Sequence, residues 1–168
     1  LPDWRSDEKA LGLLAALQDS ASRPGASCLV QTYNPDHPVL QAVAGSDPSA
    51  FYANLLASRQ KMSYPPYSRL IKLEYRHQNQ GAGEQNARAT KDKLLSLIPG
   101  ELKSKTQIIG PKPGFIPRIR HEFIWQLIIR IKSKKPGIAN SREMDAQYAW
   151  LQDLGPGWTA DIEPDSLL

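Results

Sequence analysis

The spacing of hydrophobic residues divides the chain into two parts. Up to about residue 63 the apolar residues recur at helical spacing. The three predicted helices lie in SDEKALGLLAALQ, in HPVLQAVAG and from Asp47 to Lys61. Between the first two, CLVQTY is typical of a short buried strand, and a lone strand needs partners for its backbone groups. Residues 1–63 are therefore predicted to close a larger α/β domain.

Two adjacent prolines, Pro65 and Pro66, mark the change to the second part. Proline has no amide hydrogen and disfavours helix at the residue before it, so a helix can hardly continue through Tyr64. Downstream, apolar and charged residues alternate in RLIKLEYR, which is typical of a half-buried strand. A domain boundary is therefore predicted between residues 63 and 64.

Residues 64–168 carry the pattern strand, helix, strand, strand, helix, strand. The strands are predicted in RLIKLEYR, TQIIGP, EFIWQLIIRIK and WTADIEP, and the helices in EQNARATKDKLLSLIP and from about Ser141 to Leu154. The proline-rich, basic segment KPGFIPRIRH is expected to be a loop. This order is the split βαβ arrangement (βαββαβ), an α+β fold with two helices on one face of an antiparallel sheet. The other face is expected to be open for binding.

Charge is unevenly placed along the chain. The formal net charge is +4, from 21 basic and 17 acidic residues, and residues 1–63 hold five basic against six acidic side chains. The excess therefore belongs to the second part, where nine basic residues between positions 103 and 135 have Glu122 as their one acidic neighbour. This concentration suggests a polyanionic ligand, although a solvated face that keeps the domain soluble remains an equal alternative.

Motifs for catalysis and metal binding are not evident. Cys28 alone permits neither an internal disulfide nor a cysteine-based zinc site, and it is expected to be a small buried hydrophobe. The alternating Asp161, Glu163 and Asp165 are interpreted as a polar strand edge. No phosphate-binding glycine loop is found, so no catalytic site, metal or cofactor is expected in this chain. The apolar runs are too short to cross a bilayer, which predicts a cytosolic protein without a membrane partner.

Several longer motifs carry a family resemblance. They are, in order, LPDWR, VQTYNPDHPVLQAV, YPPYSRL, GPKP, WQLII and DIEPDSLL. Together they resemble the C-terminal part of the primosomal protein N′ family, the replication-restart helicases. The resemblance implies that residues 1–63 close a second RecA-like helicase lobe and that residues 64–168 are a DNA-binding C-terminal domain. It also implies a bacterial, nucleoid-associated protein whose longer relatives use ATP with Mg²⁺ and a zinc module.

The resemblance departs from the family at helicase motif VI. Aligned from Leu13 and Leu14, the first motif arginine falls on Ser20, and of the arginines only Arg23 remains. Serine cannot make the bidentate contact to phosphate that arginine makes, so the parent protein is expected to hydrolyse ATP poorly or not at all. A misaligned loop is the alternative, and under it the parent is an active ATP-dependent 3′-5′ DNA helicase.

Basic residues are expected to neutralise DNA phosphates while exposed rings stack on bases. The cations are Lys112, Arg118, Arg120, Arg130, Lys132, Lys134 and Lys135, and the rings are Phe115 and Phe123. For the two rings, packing in the core or a loop is the alternative, whereas Trp125, Tyr148 and Trp150 are expected to be buried.

The family resemblance also implies partners. They are forked and single-stranded DNA, the single-stranded DNA-binding protein and other primosome proteins. The acidic tail of the single-stranded DNA-binding protein is expected near Lys134. A third possible function is therefore a protein-interaction module whose basic face meets acidic peptides rather than nucleic acid.

Overall fold

The computed structural model describes residues 3–21, 25–45, 47–133, 148–152 and 154–168. It divides the chain into a first unit, Leu1–Lys61, and a second unit, Met62–Leu168. The sequence pattern places the division between residues 63 and 64. Within the described ranges, no helix has the length and apolar content needed to cross a bilayer.

Three helices form the first unit, as the apolar spacing predicts. They are α1 (Ser6–Ser20), α2 (Pro38–Ala44) and α3 (Ser49–Met62). Polar side chains cap two of them: the ring nitrogen Nδ1 of His37 accepts a hydrogen bond from the amide of Val39, and the Asp47 carboxylate accepts one from the amide of Ser49. A small core joins the helices, formed by the buried side chains of Leu11, Val39, Ala42 and Phe51.

The predicted buried strand CLVQTY is wrong. Residues 28–33 are exposed and form no strand, and the Cys28 side chain is exposed rather than buried. Leu29 is 94% exposed, and Tyr33 is fully exposed. The physical reason is that the described part of the first unit contains no other strand to pair with this segment's backbone groups.

A four-stranded antiparallel sheet forms the second unit, which confirms the α/β character predicted for it. Its elements are β1 (Ser68–His77), α4 (Gln80–Leu97), α5 (Gly100–Lys103), β2 (Thr106–Ile119), β3 (Glu122–Lys132), a 3-10 turn (Ala149–Leu151) and β4 (Trp158–Ile162). The strand order is β2-β3-β1-β4. The predicted second helix begins in residues outside the described ranges, and in its described part only the 3-10 turn appears.

The main core lies between α4 and one face of the sheet. Leu94 on α4 packs with Leu73 on β1 and Leu127 on β3, and all three are buried. Leu127 pairs with Leu73, and the alternate residues of both strands continue the same apolar face. We call this face of the sheet the helix face, and the opposite one the free face.

The segment KPGFIPRIRH is not a loop. It continues β2 as far as Ile119, and the chain then turns at Arg120 and His121, both with positive φ, into β3. Prolines are tolerated there because β2 is an edge strand, where a missing donor can face away from the neighbouring strand. Local composition could not distinguish such an edge strand from a loop.

Gly110 allows β2 to bend where its register with β3 shifts. Its φ is +105°, and a Cβ atom at this position would lie 2.6 Å from the carbonyl oxygen of Gln126. The shift falls between Ile109 and Lys112. The Lys91 ammonium on α4 donates a hydrogen bond to the Gly110 carbonyl at 2.6 Å, so the bend is held against the helix.

The free face is less open than the sequence predicts. Leu70, Gln126 and Ile128, which lie on it, are buried. The segment 163–168 returns across this face: the Glu163 amide donates to the Leu70 carbonyl at 2.8 Å, and the Lys72 ammonium donates to the Leu168 carbonyl at 2.7 Å. Exposed side chains on the free face are therefore confined to the area that this segment leaves uncovered.

Candidate nucleic-acid interface

The hairpin tip, residues 118–123, carries two of the predicted DNA-binding cations. Arg118 pairs with Phe123 across the β2–β3 ladder, and its guanidinium carbon lies 5.0 Å from the centroid of the Phe123 ring. This distance is within the range of a cation–π contact. Arg120 occupies the turn and is exposed. The tip therefore presents two guanidinium groups, one of them held over a ring.

Arg130 and Lys132 lie at the opposite end of β3. The Arg130 guanidinium carbon lies 5.2 Å from the centroid of the Tyr64 ring, and its side chain is half-buried, whereas Lys132 is exposed. At about 3.3 Å per residue, Arg130 is roughly 23 Å along the strand from Phe123. The structure thus separates the predicted cations into two groups. Lys134 and Lys135 lie outside the described residues.

Lys112 and Phe115 lie along β2 between these two groups. Lys112 is exposed and pairs with Gln126 on the free face. The Phe115 ring is 54% exposed, so it does not belong to the core, whereas Phe123 is half-buried beneath Arg118. The rings expected to be buried, Trp125, Tyr148 and Trp150, are buried.

Ion pairing distinguishes the predicted cations from other basic residues. Within the described ranges, Lys112, Arg118, Arg120 and Lys132 form no ion pair with a carboxylate. By contrast, Arg88 lies 2.6 Å from Glu84, and Lys72 lies 3.2 Å from Glu74. An unpaired exposed cation can exchange its counterion for a phosphate without first breaking a protein contact.

Sequence reasoning missed the polar residues that β1 places on the free face. Lys72, Glu74 and Arg76 alternate with Ile71, Leu73 and Tyr75 of the helix face. Arg76 is exposed and has no ion pair among the residues described. The alternation in RLIKLEYR was the signal that could have identified these residues, since successive side chains of a strand point to opposite faces.

A charged cluster around Trp4 organises part of the first unit. The Glu8 carboxylate accepts hydrogen bonds from Arg59 at 2.8 Å and from Arg5 at 3.2 Å. The Arg59 guanidinium carbon lies 4.8 Å from the centroid of the Trp4 ring. Burial favours the neutral form of Glu8, but the hydrogen bonds and charges of Arg59 and Arg5 outweigh burial, so the pKa of Glu8 is lowered.

The described residues do not fit a zinc ion or an ATP phosphate. None of them form a group of three or more histidine, cysteine or acidic side chains that could hold a metal. At the motif VI positions, Asp19 and Ser20 end α1 and are exposed, and Arg23 lies outside the described ranges. An aspartate at this place would repel a phosphate rather than bind it.

Comparisons with known proteins agree on one family. A model of the primosomal protein N C-terminal domain matches residues 60–165. The chain is 35% identical over 134 residues to the replication restart protein PriA of Synechocystis, covering 78% of this chain and 16% of that protein. It is 31% identical over 137 residues to the PriA of Bacillus subtilis, covering 80% and 16%. The chain therefore spans about a sixth of the length of these relatives.

Proposed function

The chain belongs to the family of primosomal protein N C-terminal domains, and from this premise we propose that it binds DNA at replication forks. The observation that carries the proposal is the set of exposed cations on β2 and β3 that have no carboxylate partner among the described residues. Phosphate contacts suit this role because they give affinity without sequence preference, as recognition of fork shape requires.

The two cation groups support contact with more than one part of a fork. A strand spacing of roughly 23 Å between Phe123 and Arg130 corresponds to about seven nucleotides of one strand at 3.4 Å each. The hairpin tip and the end of β3 can therefore reach phosphates that are well separated along DNA. Phe115, exposed between them, is a candidate for stacking on an unpaired base.

Partner recruitment is the second half of the proposal. The relatives are named replication restart proteins, which supports an association with primosome proteins and with the single-stranded DNA-binding protein. Lys134 stays the proposed contact for the acidic tail of the latter. We place the protein in the bacterial cytoplasm, at the nucleoid, because its proposed ligand is there.

The first unit is proposed to complete a RecA-like helicase lobe. The exposed apolar side chains of Leu29, Val30 and Tyr33 support this, since a neighbouring sheet would remove them from water. ATP with Mg²⁺, and Zn²⁺, are proposed to act in other parts of the longer protein, and this chain itself is proposed to take no cofactor.

The longer protein is proposed to hydrolyse ATP slowly or not at all, because its motif VI has lost a phosphate-binding arginine. DNA-stimulated ATP hydrolysis by the full-length protein tests this. Robust turnover that disappears in the Arg23→Ala variant would refute the proposal and favour an active helicase.

Salt dependence of DNA binding tests the main proposal. Fluorescence anisotropy of a labelled fork is measured with the 168-residue chain at several salt concentrations. With about four phosphate contacts, the logarithm of affinity should fall against the logarithm of salt with a slope of roughly −3 to −4. A flat response would overturn the proposal, and tight binding of an acidic peptide in its place would favour the interaction module.

A further inference from the structure

A small cavity opens on the free face between β2 and the segment 163–168. Its volume is about 150 Å³. The lining side chains that matter here are Glu74, Phe115, Ile124, Gln126 and Leu168. At roughly 30 Å³ per water molecule, the cavity has room for about five waters, which is enough for one planar ring system. It is smaller than the pockets that hold drug-sized ligands.

Gln126 gives this cavity an unsatisfied polar group. Its side chain is 3% exposed, and its Oε1 atom has no hydrogen-bond partner in the described structure. Buried polar atoms are nearly always paired, so an orphaned acceptor in a cavity wall indicates where a ligand can donate. An apolar side chain entering the cavity would leave this atom unpaired and is therefore a poor occupant.

Glu74 supplies a second acceptor beside the first. It pairs with Gln126 in the β1–β3 register, and its half-buried carboxylate contacts the Lys72 ammonium at 3.2 Å. A carboxylate has about four lone-pair sites, so it can accept further hydrogen bonds while it keeps this ion pair. A free anion would be repelled by the carboxylate. The cavity thus favours a neutral ring that donates from an amine.

The walls of the cavity suit a flat ring. The Phe115 ring, 54% exposed, stands at its margin, and Ile124 forms part of its floor. Between them Gly114 has no side chain, and a Cβ atom there would lie 3.0 Å from Cγ2 of Ile124. The glycine therefore keeps the space above Ile124 open beside an aromatic face.

Cations flank the cavity on both neighbouring strands. Lys112 on β2 pairs with Gln126, and Arg76 on β1 pairs with Ile124. Both side chains are exposed, and within the described ranges neither forms an ion pair. A ring in the cavity would thus have positive charge on either side of it, where the phosphates of a nucleotide chain would run.

We infer that this cavity binds one unpaired nucleobase of single-stranded DNA and prefers a base that carries an exocyclic amine. The inference rests on the proposed DNA binding and deepens it. Phe115 stacks on the base, Gln126 and Glu74 accept hydrogen bonds from it, and Lys112 and Arg76 contact the adjoining phosphates. Thymine, which has no exocyclic amine, fits the two acceptors less well than cytosine or adenine.

Binding of abasic DNA separates the contribution of the bases from that of the phosphates. Anisotropy is measured with the 168-residue chain and labelled oligonucleotides of cytosine, of thymine or of abasic sites, equal in length. Phe115→Ala should weaken binding of the cytosine strand about tenfold and change binding of the abasic strand less than twofold. Tyr52→Ala, which removes a comparably exposed ring from the first unit, is the matched control and should change neither.

Gln126→Met tests the hydrogen bonds separately from stacking. This variant keeps the shape of the side chain and should abolish the preference for cytosine over thymine while stacking persists. If circular dichroism shows that it does not fold, Phe115→Ala decides the question alone.

The outcomes distinguish this inference from the function on which it rests. If the unaltered chain binds no DNA, the proposed function itself fails. If it binds with a steep salt dependence, but Phe115→Ala binds the cytosine strand as tightly as the unaltered chain, the cavity does not hold a base and the proposed function stands. Equal affinity of the unaltered chain for cytosine and abasic strands would also overturn the inference.

Discussion

Two arginines in this chain lie over aromatic rings at nearly the same distance, and they differ in what else they contact. Arg59 lies 4.8 Å from the Trp4 ring centroid and also binds the Glu8 carboxylate at 2.8 Å. Arg118 lies 5.0 Å from the Phe123 ring centroid and, among the described residues, has no carboxylate partner. Both rings fix a guanidinium, but only at Arg118 is its charge left for an external anion. The same contact therefore supports stability in the first unit and ligand binding in the second.

The largest expected effect follows from reversing charge at the hairpin tip. The double variant Arg118→Glu with Arg120→Glu should weaken fork binding roughly 10- to 100-fold, because two phosphate contacts become repulsions. The free energy of unfolding should change by less than about 0.5 kcal/mol, since both side chains are exposed. Anisotropy and urea denaturation measure the two quantities, and unchanged affinity would exclude the tip from the interface.

Removing Arg59 should have the opposite profile. Arg59→Ala is expected to lower the free energy of unfolding by about 1–2 kcal/mol, because it removes a largely buried ion pair and a contact with Trp4. Fork affinity should stay within about twofold. Arg88→Ala is the matched control: its exposed pair with Glu84 should contribute less than about 0.5 kcal/mol. A loss no greater than that of the control would contradict the comparison.

A smaller effect is expected at the other end of β3. Lys132→Ala should reduce fork affinity about two- to fivefold and make the salt slope less steep by about one, since it removes a single phosphate contact. Measuring the slope matters more than measuring affinity at one salt concentration. A slope equal to that of the unaltered chain would show that Lys132 does not contact phosphate.

The smallest effect concerns acid. Hydrogen bonds from Arg59 and Arg5 lower the pKa of Glu8 despite the opposing effect of burial, so the unfolded chain binds this proton more tightly than the folded one. The stabilisation is therefore complete above the ordinary glutamate pKa, given as 4.5, and is lost as pH falls through the lowered pKa. Denaturation between pH 6 and about 3 should show a smaller decline in Arg59→Ala than in the unaltered chain.

How far the sequence predicts the fold depends on whether the deciding contact is local. The α2 and α3 starts were predictable because capping residues lie within a few positions of each helix. β1 and β3 were predictable because their alternation records burial directly. CLVQTY has the composition of a strand, but no described strand pairs with it. Composition alone cannot supply that partner.

The candidate site was predictable in residue type more than in arrangement. Local pattern identified Arg118, Arg120 and Lys132 as candidate cations, but it treated them as one patch. Hairpin register decides their separation, and register depends on the bulges near Gly110 and after Pro113. Gln126 was predicted to face away from the core, yet segment 163–168 and β2 bury it. That burial results from contacts distant in sequence.

The prolines of β2 have a consequence for the assembled state of the protein. An edge strand normally offers a passing chain a row of unpaired amides, from which sheets extend from one molecule to the next. In β2, Pro111, Pro113 and Pro117 carry no amide hydrogen, and the register shifts bend the strand between them. This margin of the sheet is therefore a poor template for fibril growth, even in a cell where many copies share a crowded compartment.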